Sequence, residues 1–180
     1  MNIVLLGFMG TGKSTVGKYL AEKLGRIFVE LDKEIEVSAG MSIPAIFNNY
    51  GEEHFRDLET KEIRKWCRQD NLVIATGGGA VVRSQNRAYL KENGLLVCLK
   101  ATPEAILERI KYDRNRPLLN VPDKLAKIKE LMALRKQIYQ EAADYTLDCS
   151  ELSSMQVVEH IIGYVRGWND GKIAGSTGEK

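Results

Sequence analysis

Eight residues near the N-terminus place the strongest constraint on how this chain folds. The pattern G-x-x-x-x-G-K-[ST] is matched at every fixed position by Gly7-Phe8-Met9-Gly10-Thr11-Gly12-Lys13-Ser14, between an apolar run and a helical pattern. Glycines here let the backbone bend so that successive N–H groups converge on polyphosphate oxygens, and the helix N-terminus adds positive potential. The segment predicts a nucleoside triphosphate site. A glycine-rich turn that happens to precede Lys-Ser is the alternative.

The same pattern assigns roles to individual residues of the loop. Lys13 would contact the β- and γ-phosphates, and the Ser14 hydroxyl would ligate Mg²⁺. The loop alone does not predict which group accepts a phosphoryl from the nucleotide.

Length and composition limit the wider class of protein. The 180 residues, 44% hydrophobic and 28% charged, suit one globular domain, predicted over 1–168 with a flexible tail at 169–180. A net charge of +2 with interspersed cations and acids does not favour a nucleic-acid partner. No stretch approaches the ~20 apolar residues of a spanning helix, and the run at 3–6 is too short for a leader core. A cytoplasmic protein is therefore expected.

Three widely spaced cysteines, Cys67, Cys98 and Cys149, form no C-x-x-C motif. Their odd number and spacing indicate neither a disulfide framework nor a zinc site. Reduced cysteines are expected.

Short apolar runs alternate with helical patterns along the chain. Strands are predicted over 2–6, 27–31, 72–75, 95–99 and 145–148. Helices are predicted over 13–24, 42–47, 52–68, 84–92, 103–111, 123–143 and 153–168, with breaks around Gly40 and Gly51. This alternation predicts a three-layer α/β/α fold with a five-stranded parallel sheet and a mostly helical segment at 32–70.

An acidic residue follows the second predicted strand. Alternating apolar and polar residues over 27–31 put Asp32 at the carboxyl end of that strand, the edge at which open α/β sheets bind ligands. Because N-cap aspartates are common, Asp32 as the cap of a helix starting near Lys33 remains the alternative.

A carboxylate interrupts the apolar stripe of the next long helix. The stripe consists of Phe55, Glu59, Ile63 and Trp66. Arg56 lies three residues before Glu59, a spacing that allows an ion pair along the helix. Such pairs usually lie at the surface, so an exposed ion pair is the default expectation.

Three consecutive glycines, Gly77 to Gly79, follow the third predicted strand. They give up side-chain packing and backbone order, which is best explained where a ligand or another backbone approaches closely. A plain turn is the alternative.

A second arginine lies on the apolar stripe of a later helix. That stripe is predicted to contain Ile128, Leu131, Ile138 and Ala142, with Arg135 between the middle two. Burying a guanidinium without a partner is costly, so an anion is expected beside Arg135. Either an acidic side chain or a substrate anion would serve.

The connection at 111–124 is unusually long for a compact domain and carries four cations and two prolines. Such a connection predicts a mobile lid whose arginines neutralise charge during phosphoryl transfer. A basic surface loop without a task is the alternative.

Taken together, these segments resemble one family, shikimate kinase, a small member of the nucleoside-monophosphate-kinase-like group of P-loop proteins. The resemblance covers about 2–166 in the order and spacing of the family. It rests on the phosphate loop through Thr15, Asp32, Ser42-Ile43, Ile46-Phe47, Gly51-Glu52-Glu53, Phe55-Arg56, Glu59, Thr76 to Val81, Arg116-Pro117-Leu118-Leu119, Arg135, Tyr139 and Ala143-Asp144.

The resemblance implies transfer of the γ-phosphate of ATP to the 3-hydroxyl of shikimate, a step toward the aromatic amino acids, with Mg²⁺ as cofactor. Arg56 and Arg135 would clamp the substrate carboxylate, and Asp32 would orient the nucleophilic hydroxyl. The residues implied to bind shikimate are Asp32, Arg56, Gly77, Gly78, Gly79, Arg135, Ile43, Phe47 and Phe55.

The resemblance also implies the nucleotide contacts. Arg109 would lie against adenine, and Arg116 would close with the lid onto the phosphates. The residues implied to bind ATP are Gly10, Thr11, Gly12, Lys13, Ser14, Thr15, Arg109 and Arg116, and those implied to act in catalysis are Lys13, Asp32 and Arg116. A monomer without nucleic-acid or membrane partners is expected.

One departure from the family pattern concerns the metal. Many members have Asp-x-Asp where this chain has Glu30-Leu31-Asp32. Asp32 matches the second acid, while Glu30 is one methylene longer than the first. Ser14 is the expected metal ligand, with Asp32 and Glu30 contributing through water, and how Glu30 reaches the Mg²⁺ shell stays open.

Two other functions are carried as alternatives. One is a related P-loop kinase for another hydroxylated metabolite, such as gluconate or a nucleoside monophosphate. The arginine pair disfavours a neutral sugar, and the short segment between Asp32 and Arg56 leaves little room for a nucleobase. The other is a nucleotide-binding regulatory module without turnover, although no matched catalytic position is missing.

Overall fold

A parallel sheet lies at the centre of the structure, a computed structural model that describes residues 1–111 and 117–171. Its five strands run in the order β2-β3-β1-β4-β5, and every neighbouring pair is parallel. The strands are β1 (Asn2–Gly7), β2 (Ile27–Glu30), β3 (Leu72–Ala75), β4 (Gly94–Lys100) and β5 (Tyr145–Asp148). The predicted α/β class and five-stranded parallel sheet are confirmed.

Helices cover both faces of the sheet. They are α1 (Lys13–Leu24), α2 (Leu31–Ala39), α3 (Ile43–Trp66), α4 (Ser84–Glu92), α5 (Pro103–Ile110), α6 (Lys124–Ala142) and α7 (Ser154–Asn169), with a 3₁₀ turn at Pro117–Leu119. Alternate residues of β1 serve the two cores: Ile3 and Leu5 pack with α1 and α7, whereas Val4 and Leu6 pack with residues of α3, α4 and α6. This burial on both faces explains the continuous apolar strands.

Local signals set several helix ends as expected. Gly40 ends α2 with φ +65°, and Gly51, with φ +82° and ψ 174°, interrupts the helical geometry of α3. The Ser42 hydroxyl accepts a hydrogen bond from Ala45 N, with Pro44 in the first turn. Ser153 and Gln156 form a capping box at the start of α7.

The second strand is shorter than predicted, which changes the position of Asp32. Strand β2 ends at Glu30, and the chain enters α2 directly at Leu31. The predicted strand end at Leu31 was therefore one residue too late, and the alternative of an N-cap was wrong because Glu30 holds that position. The predicted location of Asp32 at the carboxyl edge of the sheet is confirmed, since it lies two residues beyond the end of β2. Asp32 lies in the first turn of α2, where the helix dipole stabilises a carboxylate.

The register of the sheet brings three chain segments to one edge. Ala75, the last residue of β3, pairs with Leu5 of β1 on one side and with Glu30 of β2 on the other. The segments that leave these strands are the phosphate loop, the glycines 77–79 and the start of α2. Their convergence at the carboxyl edge is the arrangement in which α/β sheets bind ligands.

Part of the predicted lid and tail lies outside the described residues. This applies to 112–116, which includes Arg116, and to 172–180. Leu119 of the 3₁₀ turn is buried against residues of α5 and α6. The lid and tail remain predictions.

Two further expectations can be compared with the structure. None of the helices in the described ranges has the length and apolar character needed to cross a membrane. Cys67, Cys98 and Cys149 are all free, as predicted.

Candidate active site

The phosphate loop is held open by backbone geometry that requires glycine. Gly7 and Gly12 have φ values of +137° and +96°, a region that side chains disfavour. A Cβ on Gly7 would also lie 2.3 Å from the Leu99 carbonyl oxygen of the neighbouring strand. Gly12 then caps α1, so the first N–H groups of that helix face the loop.

The side chain of Lys13 folds back across this loop. Its Nζ donates to the carbonyl oxygens of Gly7 and Phe8 at 2.8 and 2.9 Å, and Thr11 Oγ1 donates to the same Phe8 oxygen at 2.8 Å. The lysine is buried, with 8% of its surface exposed. The ammonium group is therefore fixed at the loop before any anion arrives.

A cleft of about 500 Å³ opens along the loop. Arg109 of α5 lies on its wall, where the guanidinium donates to the carbonyl oxygen of Cys149 at 3.0 Å. Among its lining residues are Gly10, Thr11, Gly12, Lys13, Ser14, Thr15, Glu30, Asp32, Thr76, Gly78 and Arg109. The structure thus brings the predicted ATP residues within the described ranges into one cavity, which Asp32 and Gly78 also line.

Oxygen donors suited to a hard cation meet beside the first helical turn. The Ser14 hydroxyl donates to Oε1 of Glu30, and the other oxygen of Glu30 lies 3.4 Å from Lys33 Nζ. Asp32 lines the same cleft. A hydroxyl and one or two carboxylates, completed by phosphates and water, form the donor set that Mg²⁺ accepts. The residues present therefore fit that metal.

The three consecutive glycines are required for space, not for backbone conformation, since none of them has a positive φ. A Cβ on Gly77 would lie 2.8 Å from carboxylate oxygens of both Asp32 and Glu59. On Gly79 it would lie 2.5 Å from the Arg56 guanidinium nitrogens, and on Gly78 3.0 Å from Met9 N of the phosphate loop. The glycine loop, residues 77–79, therefore lies between the phosphate loop and the charged side chains of α2 and α3.

The ion pair of Arg56 is buried, so the expectation of an exposed pair was wrong. Arg56 Nη1 lies 2.8 Å from Glu59 Oε2, and Nη2 lies 2.9 Å from Glu52 Oε1. Glu59 is 1% exposed because its position belongs to the apolar stripe of α3, and Arg56 follows it inward. No described residue donates a hydrogen bond to Oε1 of Glu59.

The electrostatics of Glu59 reflect this burial. Desolvation raises the pKa of its carboxyl above the ordinary value, Arg56 opposes that rise, and the nearby Asp32 adds to it. The stripe of α3 thus carries a carboxylate into the interior beside the glycine loop.

Arg135 is also buried but has a different environment. Its Nη1 donates to the Gly78 carbonyl oxygen at 3.1 Å, and its guanidinium lies 5.8 Å from the centre of the Phe8 ring. Within the described residues, no carboxylate lies at ion-pair distance from Arg135, although the buried Glu59 is near enough to interact with its charge and have its carboxyl pKa lowered by it. The positive charge of Arg135 is the less compensated of the two.

The apolar residues implied for the substrate ring form a small cluster between α2 and α3. Phe47 and Phe55 pack with ring centroids 4.9 Å apart, and Ile43 belongs to the same cluster. Phe55 also lies against Arg56, with 5.1 Å between the ring centre and the guanidinium carbon.

Tyr139 is among the residues that carry the resemblance, but the sequence assigns it no role. Tyr139 is buried on α6 and its hydroxyl donates to the Gly78 oxygen that Arg135 also contacts. The buried residues of α6 are Ile128, Arg135, Tyr139 and Ala142, whereas Leu131 and Ile138 of the predicted stripe are half-buried. The four-residue spacing of Arg135 and Tyr139 was the available signal.

These features define a class of protein. A Walker-type phosphate loop, oxygen donors for a cation and two buried arginines beside a glycine loop on a parallel α/β sheet are the parts of a P-loop small-molecule kinase.

Comparison with known proteins identifies the family within that class. The family model described as Shikimate kinase matches residues 9–166. The shikimate kinase of Geobacter sulfurreducens is 50% identical over 168 residues, 92% of this chain and 91% of that protein. That of Thermodesulfovibrio yellowstonii is 46% identical over 171 residues, 95% and 98% of the two chains. A solved structure, shikimate kinase from Acinetobacter baumannii in complex with shikimate, has a TM-score of 0.90 at 40% identity and covers 92% of this chain and 93% of that one.

The chain belongs to the shikimate kinase family. Its activity is that of the family, an ATP-dependent phosphotransfer to an alcohol group in aromatic amino acid biosynthesis.

Proposed function

We propose that this protein transfers the γ-phosphate of ATP to the 3-hydroxyl of shikimate, with the residue roles given below. The observation that carries the proposal is the buried guanidinium of Arg135 beside the glycine loop, with no carboxylate at ion-pair distance among the described residues. A buried cation of this kind favours an anionic substrate. The relative from Acinetobacter baumannii was solved with shikimate, a carboxylate.

The carboxylate end of shikimate would bind where the two arginines meet the glycine loop. Arg135 and Arg56 would supply charge-assisted hydrogen bonds, and the N–H groups of Gly78 and Gly79 would add neutral ones. Arg56 is already held by Glu52 and Glu59, which fix the orientation of its guanidinium and neutralise much of its charge.

The hydroxyl end would face Asp32. Asp32 lines the nucleotide cleft, and its carboxylate would accept hydrogen bonds from ring hydroxyls and orient the one that attacks. Ile43, Phe47 and Phe55 would wall the ring. A loose transition state makes orientation the main requirement, so Asp32 need not act as a base.

The phosphate end rests on the loop. N–H groups from Gly10 to Thr15 and the ammonium of Lys13 would bind the β- and γ-phosphates. Arg109 would contact the adenine, since it lines the same cleft, and Arg116 would neutralise the transferring group when the lid closes.

Ser14, Glu30 and Asp32 would hold the metal, with Ser14 as direct ligand and the two acids acting through water. When bound, Mg²⁺ neutralises charge on the phosphate oxygens. Glu30 already contacts the Ser14 hydroxyl, so its extra methylene does not keep it from this position.

A coupled assay of ADP release tests the proposal. Shikimate, gluconate and several nucleoside monophosphates are each offered with ATP and Mg²⁺, and turnover is expected with shikimate. Activity with gluconate but not with shikimate would overturn the assignment of shikimate as substrate. Absence of ATP turnover with every acceptor would favour a regulatory module. Omission of Mg²⁺ is expected to abolish turnover.

A cytoplasmic monomer without nucleic-acid partners is also proposed. Sedimentation of the purified protein at micromolar concentration tests the oligomeric state. A dimer under those conditions would contradict this part of the proposal.

A further inference from the structure

A buried tyrosine makes a contact that packing alone does not explain. Tyr139 is 7% exposed, and its hydroxyl donates to the carbonyl oxygen of Gly78. Arg135, one helical turn earlier on α6, donates to that same oxygen at 3.1 Å. Two side chains of one helix therefore hold a single backbone carbonyl of the glycine loop.

The glycine loop depends on such external contacts. Glycines have no side chains with which to pack, and local turn hydrogen bonds use the carbonyls of Gly77 and Gly79, which accept from Ala80 N and Val82 N. The carbonyl of Gly78 is left to a partner outside the loop. On one side Gly78 lies against Met9 of the phosphate loop, and on the other its carbonyl is held by α6. No described residue accepts a hydrogen bond from the N–H of Gly79.

Fixing the Gly78 carbonyl also fixes the following N–H. The two groups share one planar trans peptide and point in opposite directions. Once Tyr139 holds the carbonyl toward α6, the N–H of Gly79 is directed away from α6. The Cα of the same residue lies against Arg56, because a Cβ there would be 2.5 Å from the guanidinium nitrogens.

A phenylalanine at this position would fill the same space, so the core does not require the hydroxyl. Burial raises the pKa of Tyr139, which keeps the O–H protonated as a donor across the working pH range. The hydroxyl is therefore a permanent donor to the Gly78 carbonyl oxygen.

We propose that Tyr139 is a positioning residue: its hydroxyl anchors Gly78 to α6 and so aligns Arg135 and the Gly79 N–H for the carboxylate of the substrate. This inference rests on the proposed function, in which that carboxylate binds at the glycine loop. When Arg135 turns its donors to the substrate, Tyr139 keeps the Gly78 carbonyl satisfied.

The test is Tyr139→Phe, with Tyr164→Phe as matched control. Tyr164 is 9% exposed on α7, and its hydroxyl donates to the carbonyl oxygen of Asp144 at 2.9 Å. Both variants remove a buried hydroxyl from a backbone carbonyl, but only the first does so at the glycine loop.

Calorimetric Kd and steady-state KM for shikimate are expected to rise about tenfold in Tyr139→Phe, since one hydrogen bond and its alignment are lost. The KM for ATP should stay the same, and Tyr164→Phe should keep the shikimate affinity of the unmodified protein. Unchanged shikimate affinity in Tyr139→Phe, or an equal loss for ATP, would overturn the role.

A second measurement separates alignment from general loosening of the fold. Shikimate methyl ester lacks the anionic carboxylate, so Tyr139→Phe should change kcat/KM for the ester much less than for shikimate. Equal losses for both substrates would contradict the proposal. If the unmodified protein itself fails to bind or phosphorylate shikimate, the proposed function fails, and that outcome is distinct from a failure confined to Tyr139→Phe.

Discussion

The two halves of the active site are built in different ways. The phosphate half comes from one contiguous stretch, Gly7 to Ser14, and uses mostly backbone groups. The acceptor half is assembled from α2, α3, the glycine loop and α6, and uses mostly side chains that are buried by tertiary packing. The difference teaches that binding of the nucleotide is a local property of the chain, whereas selection of the acceptor belongs to the whole fold.

Replacing the phosphate-loop lysine tests whether the phosphate half acts independently of shikimate binding in the acceptor half. In Lys13→Met we expect kcat to fall about 10²- to 10³-fold, because a preorganised charge at the transferring phosphoryl is lost. The Kd for shikimate should be unchanged by calorimetry, and Lys18→Met, on the exposed side of α1, is the control. A parallel loss of shikimate affinity would break the separation.

Replacing Arg135 tests the acceptor half, because its positive charge has no carboxylate at ion-pair distance in the part of the chain that the structure describes. Arg135→Met should raise the Kd for shikimate about 100-fold, the loss of one to two charge-assisted hydrogen bonds. Nucleotide affinity should not change. Lys136→Met, an exposed neighbour on α6, is the matched control. If both variants bind shikimate equally well, Arg135 does not hold the carboxylate.

Arg56 is expected to contribute less to affinity and more to folding than Arg135. Arg56→Met should weaken shikimate binding about tenfold, because Glu52 and Glu59 already neutralise much of its charge. It should also lower the free energy of unfolding by about 3–5 kcal/mol, since Glu59 is left buried without its partner.

The double variant Arg56→Met/Glu59→Leu sharpens that prediction. Urea unfolding should recover most of the lost stability, while shikimate affinity stays low. Recovery of affinity together with stability would mean that Arg56 acts only through the fold.

The smallest expected effect is the contribution of Glu59 to the pH dependence of the unfolding free energy. Because burial raises its pKa in the folded state, protonation of Glu59 stabilises the fold fully below the unfolded value of 4.5 and less as pH rises through the folded value. Relative to Glu59→Gln, the unmodified protein should therefore lose unfolding free energy as pH rises above 4.5. If the unfolding free energy of the unmodified protein instead rose with pH relative to that of Glu59→Gln, the pKa of Glu59 would be lowered by folding, not raised.

The contiguous phosphate half was easier to predict from sequence than the acceptor half. The phosphate loop could be predicted because its motif is contiguous, and the sheet because its strands are short apolar runs between helices. The end of β2 was predicted one residue too late because the chain passes from β2 to α2 at Leu31 without a turn residue to mark the boundary.

Burial of Arg56 and Glu59 was not predictable from their spacing alone. An i,i+3 pair is usually exposed, and here it is drawn inward by the stripe of α3 and by space left at Gly77 and Gly79. The contact of Tyr139 was not predicted because its partner is a backbone carbonyl 61 residues away, which only the tertiary fold brings near.

The position of Gly78 has a consequence for how the two substrates influence each other. Its backbone lies against Met9 of the nucleotide loop, and its carbonyl is held by the helix that carries Arg135. A shift of the nucleotide loop therefore has a path of two contacts to the carboxylate clamp, with no flexible side chain of the glycine itself to absorb it. The geometry gives the enzyme a route for synergy, in which one bound substrate improves the fit of the other.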